Sequence, residues 1–460
     1  MKITAKIFML FIFILQASSC SEEFLEAKPD KSLNVPKNEK DLLALLDNSN
    51  NFFNSTPVFG LLGSDDIYLT EEGLLTLLPP YDRAYKWDKE FYPANITTNA
   101  NWNRCYSQVF GANVVLDAVK DWKLERFSAE QSNVAGMAYF HRAFAFYHLA
   151  QLFAEPYQES ISNKQLGIPL RLSSDVTSVS KRASLAETYD QILSDLQHSV
   201  QMLPKSQVKL TRPTQIAAKA LMARVYLIMA NYAEAERYST EVLEHSDAII
   251  DYNKLSASST RPFPVVILNG DNPEVIFYSV MTANSALQSA SITSVDSTLI
   301  KTYEANDLRA ALFFRKQNNG NYSFKGQYTG SSSIFTGLAL DEVLLTRAEC
   351  RARRDAAQEA LDDLNKLLVK RWRTDTYVPI TLDSVDDILP LILQERRKEL
   401  VYRDLRWIDL RRLNLEDRFK KVIYRQIGTK RIELLPNDIR YTLPIAFDVI
   451  SRSNMEQNPR

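Results

Sequence analysis

The 460-residue chain carries 55 basic and 56 acidic residues, a formal net charge of −1 at neutral pH, which offers no electrostatic attraction for nucleic acid. Twelve glycines are few for a chain of this length and argue against sandwiches, propellers and nucleotide-binding α/β folds. A mostly helical body with a sizeable core is expected, carrying more aromatic surface than a core requires, since 10% of the residues are Phe, Trp or Tyr.

The N-terminus opens with Lys2 and Lys6, followed by an apolar run from Ile7 to Leu15 and the small residues Ala17, Ser18 and Ser19 before Cys20. A run of nine residues makes a helix of about 13 Å, too short for a hydrocarbon core of about 30 Å. Residues 1–19 are therefore read as a cleaved export signal, and small residues followed by Cys resemble a lipobox. On that reading the Cys20 thiol accepts the lipid. Ser21, Glu22 and Glu23 then resemble an acidic signal for display outside the outer membrane. Ordinary secretion with an incidental Cys is the competing reading. Residues 20–40, with Pro29 and Pro36 and no sustained period, read as a tether.

A short helix is expected over Lys40–Asp47, then an irregular stretch over Asn48–Asn99 containing Pro57, Pro79, Pro80 and Pro93. Aromatic residues in long loops are candidates for ligand contact, here Tyr81, Tyr85, Trp87 and Tyr92. From Asn101 the period turns helical, with Trp102, Tyr106, Val109 and Phe110 on one face. Further helices are expected over Ala129–Phe153, over Ser184–Leu203 with Ser184 and Glu187 as a capping box, and over Thr214–Met229 and Ala233–Glu244.

The last two resemble a tetratricopeptide hairpin, in which small residues sit where the helices approach. Ala223 and Ala235 have the required spacing, and Ala348 with Ala360 repeats it. Between the two hairpins, Ile249 to about Leu338 is rich in Ser, Asn, Thr, Tyr and Phe and is expected to be irregular, with a short strand at Val275–Val280. Tyr322, Phe324 and Tyr328 there are the second group of candidate ligand contacts. For each single ring, ordinary packing is the competing role.

Chemistry has few footholds. The four histidines, His141, His148, His198 and His245, lie outside any HExxH pattern and have no Cys at ligand spacing, so structural roles are expected. No phosphate-binding glycine loop or GxSxG elbow occurs, so no catalytic residue is assigned. A carboxylate pair for glycoside hydrolysis has no sequence spacing and stays open. Asp65, Asp66, Glu71 and Glu72 suggest calcium, but turn and cap chemistry is the preferred reading, so neither metal nor cofactor is assigned. Cys105 and Cys350 are expected as two small buried residues on separate helices, with pairing left open. The block Gln394–Arg412 mixes arginines with acids, and Glu395 with Lys398, Glu399 with Arg403 and Asp409 with Arg412 are expected to pair along a helix.

Seven segments carry a resemblance to a known family: AYFHRAFAFYHLAQLFAEPY at 138–157, GIP at 167–169, SLAETYDQILSDLQHSVQMLP at 184–204, PTQIAAKALMARVYLIMANYAEAERY at 213–238, DEVLLTRAECRAR with DLNKLL within 341–368, ILQERRKELVYRDLRWIDLRR at 392–412 and LPIAFDVISRSNMEQNP at 443–459. In this order they resemble the SusD/RagB family of outer-membrane nutrient-binding lipoproteins. The resemblance implies a mostly α, SusD-like body on tetratricopeptide-like hairpins, with long irregular loops and a few short strands. It divides the chain into a signal (1–19), a lipidated tether (20–40), an N-terminal helical region (41–246), a ligand-binding loop region (247–338) and a C-terminal region (339–460).

It further implies a binding protein, not an enzyme, anchored to the outer membrane and facing outward. Such a protein delivers a glycan to a SusC-like TonB-dependent transporter. Peptide binding, as in RagB-like members, is the alternative ligand class, and a secreted glycosidase is the alternative from another class. Tyr402-Arg403-Asp404 stands where family members often have Phe-Glu-Gly, which displaces the acidic residue.

Overall fold

The computed structural model describes residues 38–48, 52–120, 127–266 and 272–460. The leader, Cys20 and the tether up to residue 37 lie outside the described residues. Two compact units divide the chain, Met1–Leu42 and Leu43–Arg460. The short helix expected near residue 40 spans Glu39–Leu46.

Long helices follow one another in the second unit: α1 (Ala100–Lys120), α2 (Ala129–Phe153), α3 (Leu185–Met202), α4 (Gln215–Ile228), α5 (Tyr232–His245), α6 (Leu340–Arg353), α7 (Ala357–Leu368) and α8 (Ile388–Glu399). The starts of α2 to α5 are set by side chains that satisfy the free N–H groups of a first turn. Ser128 with Gln131 and Ser184 with Glu187 form capping boxes at α2 and α3, Thr214 accepts from the Ala217 N–H at α4, and Asn231 accepts from the Glu234 N–H at α5.

Each of α1 to α7 packs on the next, and α8 closes on α6 and α7. Helix α2 is buried on nearly every side from Val134 to Phe153, as its apolar circumference requires, and forms the centre of the stack. The hairpins α4/α5 and α6/α7 bury Ala223, Ala235, Ala348 and Ala360, so small residues lie in both, as their spacing predicts. Leu227, Ala235 and Cys350 pack together, with Tyr226 and Tyr232 against them. Cys105 and Cys350 are free and buried, on α1 and α6, and burial pushes the Cys105 thiol up to about 12.

Because α5 and α6 are neighbours, residues 246–339 form an excursion from the stack, not a link between two bodies. The excursion is stitched to residues 52–99 by two short ladders. Ser55–Thr56 pairs in parallel with Val280–Met281, and Ile67–Leu69 pairs antiparallel with Thr293–Val295. The strand expected at Val275–Val280 is two strands in different sheets, because Val275–Phe277 pairs instead with Leu338–Ala339. The stretch expected to be irregular from Asn48 to Asn99 also contains short helices, Phe59–Gly63, Glu71–Leu75 and Tyr81–Lys86.

The pairing expected within Gln394–Arg412 is partly different. Glu395 meets Lys398 at 2.8 Å and Asp409 meets Arg412 at 2.8 Å. Glu399 does not meet Arg403. It takes Arg371 at 2.7 Å and Arg309 at 3.1 Å, while Arg403 reaches Asp341 at 3.1 Å. Helix α8 ends at Glu399, and positive φ angles at Tyr402 (61°) and Asp404 (60°) turn the chain away, so the expected helical spacing is broken there.

Candidate ligand-binding site

The hairpin of Phe314–Lys316 and Tyr322–Phe324 pairs Phe324 with Phe314 and Ser323 with Arg315. Alternation along a strand puts Tyr322 and Phe324 on one face and Ser323 on the other. Phe324 is half-buried and stacks on Tyr402, with ring centroids 4.6 Å apart and planes 13° from parallel. Tyr402 is 2% exposed, held at the turn after α8.

These two rings help line a cavity of about 290 Å³. Around them stand Thr260, Arg261, Gln288, Ser289, Thr293, Arg315, Ser323, Lys325, Gln327, Ser331 and Ser332, with Leu287, Ala290 and Ile334 as apolar contacts. Thr293 belongs to the ladder with Ile67–Leu69, so the stitching of the two loop regions forms part of the wall. Lys325 donates to the carbonyls of Ala257 (2.6 Å) and Ser259 (3.1 Å), and burial lowers its pKa. The Gln327 side-chain oxygen accepts from the Phe335 N–H at 3.3 Å. The lining contains hydroxyls, amides and cations but no carboxylate. The two acids that glycoside hydrolysis uses have no counterpart among these described residues.

The other aromatic candidates fall elsewhere. Tyr85 is buried and its hydroxyl accepts from the Leu69 N–H at 3.0 Å, one step behind the Leu69–Thr293 pair. Trp87, 3% exposed, donates its indole N–H to the Gly63 carbonyl at 2.9 Å. The Arg425 guanidinium lies over both rings, 4.2 Å from Tyr85 and 4.8 Å from Trp87, and donates to the Ile67, Leu62 and Ser64 carbonyls. These two side chains hold the scaffold.

Tyr81 is half-buried against Phe59 at 5.5 Å. The Tyr92 hydroxyl donates to the Pro444 carbonyl at 3.2 Å and accepts from Asn99. Tyr328 is buried, donating to Glu274 at 2.8 Å beneath the Arg403 guanidinium. Tyr322 is half-buried on the Phe324 face, outside the cavity lining. Of the seven rings expected at a site, only Phe324 lines the cavity. Its partner Tyr402 was legible only as a departure from a family pattern.

The remaining candidates are structural. His141 and His148 are buried among aromatic rings, with Phe53 4.6 Å from His141 and Phe144 4.6 Å from His148, and burial lowers both pKa values to about 3, so both are neutral. Asp65 is filled by protein cations: Arg406 at 2.6 Å, Lys421 at 2.8 Å and Arg397 at 3.3 Å. Asp66 takes Arg397 at 3.2 Å. Burial opposes ionisation of Asp65, yet the guanidiniums hold its carboxyl well below the usual range.

Comparison with known proteins matches residues 23–227 to the family described as "Starch-binding associating with outer membrane" and residues 312–460 to the "SusD family". The chain is 24% identical over 433 residues to SusD-like protein P2 of Formosa agariphila, covering 79% of this chain and 80% of that protein. A SusD superfamily protein of Bacteroides thetaiotaomicron superposes with a TM-score of 0.73 at 21% identity, covering 92% of this chain and all of that one. A putative sugar binding protein of Bacteroides vulgatus gives 0.73 at 19% identity, covering 93% and 99%. These likenesses carry the helical stack with its short strands.

Proposed function

This chain belongs to the SusD family, and on that premise we propose that it is an outward-facing outer-membrane lipoprotein that captures a glycan and passes it to a SusC-like TonB-dependent transporter. The observation that carries the ligand class is the cavity at Phe324 and Tyr402. A pyranose presents a C–H face that stacks on an aromatic ring and hydroxyls that need donors and acceptors around it. Phe324 offers the first, and Ser289, Thr293, Gln327 and Arg261 offer the second. Names of relatives point the same way, since one of the B. vulgatus proteins is described as a SusD-like carbohydrate binding protein.

No helix among the described residues is long and apolar enough to cross a membrane. Attachment through Cys20 would keep the body at the membrane without one. The test is titration of the purified chain against panels of oligosaccharides and peptides, with chromatography of each sugar after incubation. Saturable binding of an oligosaccharide that is recovered intact supports a glycan receptor. Peptide binding alone moves the assignment to the RagB-like class, and shortened sugars replace the receptor by an enzyme.

A further inference from the structure

The charged side chains that line the Phe324–Tyr402 cavity are all of one sign: Arg261, Arg315 and Lys325. The chain as a whole is balanced, with 55 basic and 56 acidic residues, so a wall of three cations without an acid departs from its surroundings. Elsewhere packing gives cations a carboxylate. Arg309 takes Asp307 at 2.7 Å, Arg371 takes Glu274 at 2.9 Å and Arg406 takes Asp65 at 2.6 Å. Among the described residues no carboxylate pairs with Arg261, Arg315 or Lys325.

The fold brings these charges together from separate segments. The Arg261 N–H donates to the Ser259 hydroxyl at 3.1 Å, which fixes the turn that carries it. Arg315 stands opposite Ser323 in the hairpin, and Lys325 follows Phe324 at the end of the second strand. The Lys325 ammonium holds the Ala257 and Ser259 carbonyls at 2.6 and 3.1 Å, which ties the segment before Arg261 to the hairpin. Two of its donors are used, and an ammonium has three. Burial first and the Arg315 charge second lower the Lys325 pKa, and no acid offsets them.

Like charges held around one cavity repel, and a ligand of opposite sign relieves the repulsion. Arg261 and Arg315 are exposed, so a ligand can reach them. A guanidinium presents paired N–H donors that match the oxygens of an oxyanion. Phe324, Ser289 and Thr293 stand in the same wall. A neutral sugar would use the ring, the hydroxyls and the amides and leave three charges idle, whereas a sugar bearing an oxyanion uses all of them.

On the reading that this cavity holds a glycan, we propose that the glycan is anionic, with a carboxylate or sulfate group on the sugar taken by Arg261, Arg315 and Lys325. The ring face rests on Phe324, and the three cations select the charge.

The test is titration of the full chain with homogalacturonan, alginate, a sulfated galactan and a sulfated fucan, each beside its carboxyl-reduced or desulfated form, with starch and xylan as neutral references. At least one acidic glycan is expected to bind about tenfold or more tightly than its neutralised form, with the preference shrinking as salt is raised. Which acids bind separates the carboxylate source from the sulfate source. The double variant Arg261→Gln, Arg315→Gln is expected to bring the acidic form down to the affinity of its neutralised form, whereas Phe324→Ala weakens both. Lys205→Gln, at an exposed cation outside the cavity, leaves both unchanged and separates the site from general surface attraction. Neutral glycans bound as tightly as every acidic one, or a preference that persists in the double variant, overturns the proposal and leaves a glycan receptor standing. Binding of peptides alone, or of no saccharide, overturns the underlying reading and the proposal with it.

Discussion

Phe324 and Tyr402 are stacked 4.6 Å apart, although one comes from a hairpin in the loop excursion and the other from the turn that ends α8. The pair ties the candidate site to the helical stack. On the proposed reading, Phe324 would meet ligand on a platform that Tyr402 supports. Phe324→Ala is expected to weaken a bound oligosaccharide by about 1–2 kcal/mol while leaving the melting temperature within a few degrees of wild type. Isothermal titration beside a thermal melt checks this, and unchanged affinity would remove the ring from the site.

Trp87→Ala should behave in the opposite way. The indole is buried, bonded to the Gly63 carbonyl and covered by Arg425, so its loss leaves a cavity and an unused acceptor. A destabilisation of about 3–5 kcal/mol is expected, read by denaturant unfolding. A variant as stable as wild type that binds ligand more weakly would instead place Trp87 at the site.

Gly60 and Asp404 form a second long-range couple. A Cβ on Gly60 would run into the Asp404 carboxylate, and Asp404 stands at φ 60°, a left-handed conformation that glycine adopts most readily. Gly60→Ala is expected to destabilise the wild-type chain and to cost less in an Asp404→Gly background, with a coupling of about 1 kcal/mol or more. Additive effects in a double-mutant cycle would show that the two do not press on each other.

Asp404 also predicts a pH dependence. Burial pushes its carboxyl from 3.8 up to about 8, so the folded chain holds a proton that the unfolded chain releases. The stability it contributes is full below about pH 4 and is lost as pH rises toward about 8. Asp404→Asn should therefore flatten the fall in melting temperature between about pH 5 and 8. Equal slopes in the two proteins would contradict the assignment.

Cys20→Ala should abolish incorporation of labelled fatty acid and release the protein from membranes. Labelling equal to that of wild type would mean that the anchor lies elsewhere or does not exist.

What could be read from the chain alone is what depends on neighbours in sequence. Ser184 with Glu187, Thr214, and the Ala129–Phe153 period each specify a helix within a few residues, because capping and amphipathicity are local. The seven segments between 138 and 459 led to the family for the same reason, since contiguous motifs are legible in sequence.

Only the tertiary structure decided which rings face solvent. Tyr85, Trp87, Phe324 and Tyr328 look alike as loop aromatics, yet three are buried and one lines a cavity. The difference arises because residues 55–56 and 67–69 pair with strands more than two hundred positions away, at 280–281 and 293–295. The same holds for charge. Glu399 turns to Arg371 and Arg309, and Arg403 to Asp341, because partners of a buried charge are chosen by packing in space and carry no signature in sequence.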